Sequence, residues 1–160
     1  MSSALRDHEY LPQVEPTDSA NPVGMAESSQ RSPVKPRIIV VDDDACFCEL
    51  LSLYFMAKGF EVVSARTAEQ AQALIERGRF DLLILDWFLN GGDSLDLLNL
   101  SKKRHSTIPV IIFTGAEVDV LLKRELAGRV DGVVRKMGSL ESLSSHVCHH
   151  LGWPELRLVK

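Results

Sequence analysis

The chain has 160 residues, a formal net charge of −4, and 45% apolar, 25% charged and 6% aromatic residues. That length suits one domain and little more, and the acidic balance excludes the basic footprint of a direct nucleic-acid binder. No run approaches the roughly 18 apolar residues of a membrane span, residues 1–10 lack an apolar signal core, and three cysteines are too few for a disulfide framework, so a cytoplasmic protein is expected.

Residues 1–36 hold five of the seven prolines, and their apolar residues follow no period. Such a segment buries too little surface to offset its ordering entropy, and it reads as a disordered tail. Residues 37–152 read as one domain. Its first strand is the β-branched run 38–41. Phe47, Leu50, Leu51, Tyr54 and Phe55 then recur at helical spacing, and Gly59 closes that helix. A weaker strand, 61–65, follows. Thr67, Ala68, Glu69 and Gln70 form a capping box that opens a helix to Arg77, closed by Gly78. The third strand is the unbroken run 82–85. Asp93 caps a helix carrying Leu95 and Leu98. The fourth strand is 110–113, and its helix carries Val118, Leu121, Leu122 and Leu126 as far as Gly128. The shortest strand, 132–134, precedes a helix with Leu140, Leu143, Val147 and Leu151, stopped by Gly152 and Pro154. Residues 153–160 read as a short tail. Five strand–helix units in strict alternation imply right-handed crossovers and a parallel sheet covered by helices on both faces.

In such a sheet, ligands bind beyond the carboxyl ends of the strands. The first strand ends in Asp42, Asp43 and Asp44, the third in Asp86, the fourth in Thr114 and Gly115, and the fifth in Arg135 and Lys136. Acids, a hydroxyl and an ammonium therefore converge from four separate stretches of sequence. Clustered carboxylates repel unless a cation joins them, and oxygen-only donors call for a hard one, Mg2+ or Mn2+. One carboxylate can then act as a nucleophile on phosphorus, with metal, lysine and hydroxyl offsetting charge on the phosphoryl oxygens.

With these residues in place, the stretch 37–152 resembles the receiver domain of bacterial two-component response regulators. The resemblance implies a flavodoxin-like doubly wound fold, with a five-stranded parallel sheet of order 2-1-3-4-5. It makes Asp86 the phosphoacceptor and implies Mg2+ held by Asp43, Asp86 and the main-chain carbonyl of Phe88, with Asp42 acting through a water. Thr114 becomes the switch hydroxyl, beside a small Gly115 that leaves room for the phosphoryl group. Lys136 becomes the phosphate-binding lysine. The implied phosphodonor is a histidine kinase or histidine phosphotransfer protein, and the output is a switched surface that binds a downstream protein. Because the chain stops soon after the fifth helix, a stand-alone receiver is expected, without membrane insertion and without turnover as an enzyme.

Four positions depart from the family pattern. Asn90 stands where a proline is usual, Ser94 where a glycine is usual, and Met137 where a proline usually follows the lysine. With Met137 there, a trans peptide after Lys136, or a strained cis one, is expected, with the lysine position less fixed. Val133 takes the place of the usual aromatic switch residue and cannot swing a ring inward, so the readout is expected through the loop after Thr114 or through altered contacts. Neither Phe88 nor Ala116, which flank the site, can orient an attacking water, so a long-lived aspartyl phosphate is expected. These departures also support an alternative, a phosphorylation-independent pseudo-receiver that serves as an interaction module. An aspartyl-phosphate phosphohydrolase is disfavoured, because Phe88 occupies the place of its second acid. Cys46 and Cys48 read as small core residues and Trp87 as a packed or rim aromatic. His8 and His105 read as surface residues. His146, His149 and His150 read as a solvated or partner-facing helix surface.

Overall fold

The computed structural model describes residues 34–90, 93–115 and 120–155, with the side chains of Val120, Leu121 and Leu122 excepted. They belong to one unit, Pro33–Lys160. Most of the expected tail, with His8, Val118, Ala116 and the turn glycines Gly91 and Gly92, lies outside the described residues.

The element order is β1 (Arg37–Val41), α1 (Ala45–Ala57), β2 (Glu61–Ala65), α2 (Ala68–Arg77), β3 (Leu82–Leu85), α3 (Ser94–Arg104), β4 (Val110–Thr114), α4 (Val120–Leu126), β5 (Gly132–Arg135) and α5 (Leu140–Leu151). Among the described residues the strands form one sheet in the order β2-β1-β3-β4-β5, every pairing parallel. This is the flavodoxin-like α/β fold that the resemblance implies, and the parallel sheet is the one expected from the alternation of runs.

The unbroken apolar strands serve two cores at once. Successive strand residues point to opposite faces. Ile38, Val40, Leu82, Ile84, Ile111 and Phe113 pack with Leu51 and Phe55 of α1 and Val147 of α5. Ile39, Val41, Leu83, Leu85, Val110 and Ile112 pack with Ile75 of α2, Leu98 of α3 and Leu126 of α4. The edge strand β2 alternates less cleanly, and only Ala65 in it is buried.

Helix ends follow the sequence signals. The Asp44 carboxylate accepts from the backbone N–H of Cys46 and Phe47, Asp93 accepts from Leu95 and Ser139 from Ser142. Thr67 accepts from Gln70, whose own side chain accepts from Arg66. Gly59 and Gly152 take the left-handed conformation that closes α1 and α5. Gly78 does not: a Cβ there would lie 2.8 Å from the Leu74 carbonyl oxygen, so close approach selects that glycine.

Three expectations need correction. In α1 the buried stripe is Cys48, Leu51 and Phe55, while Leu50 is 45% exposed. The helix is apolar nearly all round, with Glu49 its one charged residue, so periodicity could not fix which side faces inward. Cys46 and Cys48, two residues apart, fall on different sides: Cys48 is buried and Cys46 exposed. His105 is no surface residue. Its ring packs edge-on against Phe80, centroids 4.8 Å apart, and its Nε2 lies 3.0 Å from the Ile75 carbonyl oxygen, tying the end of α3 to α2.

The fold also extends past Gly152. Trp153 stacks on Phe60 at a centroid distance of 5.7 Å and donates from Nε1 to the Lys58 carbonyl.

Candidate functional site

Asp42, Asp86 and Lys136 each sit one position beyond a strand and are still held by the sheet. The Asp42 N–H donates to the Ala65 carbonyl of β2 (3.1 Å), the Asp86 N–H to Val41 of β1 (2.8 Å) and the Lys136 N–H to Thr114 of β4 (2.8 Å). The parallel ladder thus continues just past the strand ends and fixes the backbone from which these side chains leave.

The two most buried acids repeat one local device. An Asp42 oxygen accepts from the backbone N–H of Asp44 at 3.0 Å, and an Asp86 oxygen accepts from Phe88 at 3.2 Å. Both are side-chain turns that close over two residues and orient the carboxylate. The second oxygen of each meets Lys136, whose Nζ lies 2.6 Å from Asp42 and 2.8 Å from Asp86. Asp42 is 2% and Asp86 6% exposed, so this ammonium joins two desolvated charges across the sheet.

Burial pushes the Asp42 carboxyl upward, against the opposing pull of Lys136 and the Asp44 N–H. For Lys136, burial alone would depress the ammonium, but hydrogen bonds to Asp42 and Asp86 and their charges outweigh it and hold it above its ordinary value. Lys136 also lies 4.6 Å from the centroid of Phe47, which packs edge-on against Phe113. The thiol of Cys48 donates to the Asp42 carbonyl at 3.2 Å, and burial with the nearby Asp42 charge raises it.

Asp43 is half-buried and completes the cluster. Carboxylate oxygens of Asp42, Asp43 and Asp86 lie within 4.8 Å of one another. One lysine cannot neutralise three carboxylates, and the donors are all hard oxygens, which fits a divalent cation of the Mg2+ type. Thr114 is fully buried at the end of β4. Among the described residues, a Cβ added to the exposed Gly115 would meet the Lys136 side chain, at 3.8 Å. The side chain of Phe88 is 56% exposed. The peptide after Lys136 is trans, the first of the two alternatives that Met137 left, and Met137 is 85% exposed. Val133 is 37% exposed and lines a groove of about 220 Å³ with Leu126 and Val130.

Three partners of the site were not expected from the sequence. The Asn90 carboxamide donates to Asp43. The buried Ser94 hydroxyl donates to the Asp86 carbonyl at 2.8 Å. Phe47 forms the apolar wall beside Lys136. Asn90 and Ser94 are two of the departures from the family pattern, and both put a donor where the usual residue has no side-chain donor. The α5 histidines lie outside the site: His146 Nδ1 meets the Ser142 carbonyl and His150 Nε2 that of Asp131. Among the described residues the acidic triad is the one group of metal-capable side chains.

A parallel α/β sheet bearing acids beyond β1 and β3, a hydroxyl on β4 and a lysine beyond β5 defines a phosphoacceptor signalling module rather than a turnover enzyme. The family model of the response regulator receiver domain matches residues 38–148, and the chain belongs to that family. Among curated relatives, the phosphate regulon transcriptional regulatory protein PhoB of Pseudomonas aeruginosa is 32% identical over 124 residues, 66% of this chain and 54% of that protein. The transcriptional regulatory protein AruR of the same organism is 34% identical, over 68% of this chain and 47% of its own length. The chain thus spans about half the length of these two relatives. Among solved structures, the response regulator TrrA of Thermotoga maritima, in complex with Mg2+ and BeF, superposes with TM-score 0.64 at 27% identity, covering 72% of this chain and 98% of that one. A CheY-like receiver domain from Methanospirillum hungatei shares the fold, with TM-score 0.69 at 24% identity, covering 74% and 94%. Among the described residues, no helix is long and apolar enough to cross a membrane.

Proposed function

We propose that the chain accepts a phosphoryl group on Asp86 from a phosphohistidine donor, a histidine kinase or phosphotransfer protein, and thereby switches a protein-binding surface. The observation that carries this reading is the clamp on Asp86: one oxygen held by Phe88 N–H, the other by Lys136, with Asp42 and Asp43 alongside.

An Asp86 oxygen attacks phosphorus, the new O–P bond forms as the N–P bond to the donor imidazole breaks, and the imidazole leaves with the electron pair and takes up a proton. Lys136, already within 2.8 Å of Asp86, transfers its ion pair to the arriving phosphoryl oxygens. Asp42, Asp43 and Asp86, with the main-chain carbonyl of Phe88, are the residues that would hold Mg2+, which when bound offsets negative charge on the phosphoryl group. Thr114 closes on a phosphoryl oxygen, beside the small Gly115. Val133 has no ring to rotate, so the change is read at the loop after Thr114 and in the groove that Val133 lines.

The test is intact mass after incubation with Mg2+ and acetyl phosphate, for wild type and Asp86→Asn. A gain of one phosphoryl mass in wild type alone supports the reading. No gain in either would overturn it in favour of a phosphorylation-independent interaction module. The exposed, apolar Phe88 cannot orient water, so the phosphoryl group is expected to be long-lived; complete hydrolysis within seconds would count against that.

A further inference from the structure

Lys136 pairs with Asp42 and Asp86, and those two carboxylates each take a second donor from the backbone. Asp43 is held differently. Among the described residues, its donor is the Asn90 carboxamide, 47 positions further along the chain. That contact joins the loop after β1 to the loop after β3. Its outer end is anchored, because Leu89 is buried in the core one residue before Asn90, and the Ser94 hydroxyl holds the Asp86 carbonyl four residues after it.

Repulsion from two buried neighbours pushes Asp43 outward, and as the least buried of the three it is free to turn into water. A neutral amide opposes that motion without cancelling the charge a cation needs. We propose that Asn90 is a positioning residue for the divalent cation: its Nδ2–H holds Asp43 in reach of Asp42 and Asp86, so that the three-carboxylate site is formed before the cation arrives. This rests on the reading that the triad binds a divalent cation. Outer hydrogen bonds that orient a ligating carboxylate typically change metal affinity about 10–100-fold.

The probe is Mn2+, its free concentration followed by paramagnetic resonance, with the Mg2+-induced rise in melting temperature as a second readout. Asn90 is exposed, so Asn90→Leu is expected to melt like wild type without added metal. It is expected to bind Mn2+ about 10-fold or more weakly. Asn90→Gln, which keeps the carboxamide, is expected to fall between wild type and Asn90→Leu. In an Asp43→Asn background, Asn90→Leu is expected to have no further effect. Wild-type binding that Asp43→Asn abolishes but Asn90→Leu leaves within about twofold would overturn the role of Asn90 and leave the cation site standing. Equal affinities for the Leu and Gln variants would overturn the hydrogen bond as the cause. Absence of saturable Mn2+ binding by wild type would overturn the cation reading, and this inference with it.

Discussion

Lys136 is the counter-charge that makes two desolvated carboxylates tolerable on neighbouring strands, and its removal tests that directly. Lys136→Met is expected to cost about 3 kcal/mol in urea unfolding without divalent ions, because it strands Asp42 and Asp86 facing each other. Added Mg2+ is expected to restore part of the loss; a cost below about 1 kcal/mol would mean that the pair is stabilised otherwise. At this scale the sequence was readable wherever a strand end delivers the group. Asp42, Asp86, Thr114 and Lys136 could be placed because an apolar run stops just before or at them. Asn90 and Ser94 could not, because loops have no period, and their partners lie at distant or backbone positions that only the folded chain brings near.

Helix α1 shows what a pattern leaves undecided. Thirteen residues with one charge offer apolar side chains on both sides, and the sheet takes only one of them. Leu51 is fully buried, whereas Leu53 is 60% exposed two residues away. Leu51→Ala is therefore expected to lower stability by about 3 kcal/mol. Leu53→Ala is expected to stay within about 0.5 kcal/mol. Chemical denaturation of the two variants decides the matter, and comparable losses would mean that the outer face is also packed. By contrast α2 was readable at both ends, since Thr67 and Gln70 satisfy backbone N–H groups and Gly78 admits a carbonyl.

For the molecule as a whole, the parallel sheet followed from the alternation of helices with fully apolar runs such as 82–85, and the strand order from the resemblance. The reach of the fold past α5 was less readable, since a lone tryptophan after a Gly152 stop carries no periodic signal. Trp153 nevertheless closes the core at Phe60 and the end of α1. Trp153→Ala is expected to cost about 2 kcal/mol, less than a fully buried tryptophan would. An unchanged thermal midpoint would show that this closure is dispensable.

The placement of Lys136 has a consequence in time. Its acidic partners lie 94 and 50 residues earlier in the chain, and it leaves from the end of β5, the last strand of this sheet in chain order. A ribosome releases the acids first, and until β5 docks on β4 they have no ammonium to meet. Nascent chains and molecules in which β5 has opened therefore carry Asp86 without its clamp. The clamp on Asp86 is complete only when β5 has docked, so an intact clamp reports that the sheet is complete.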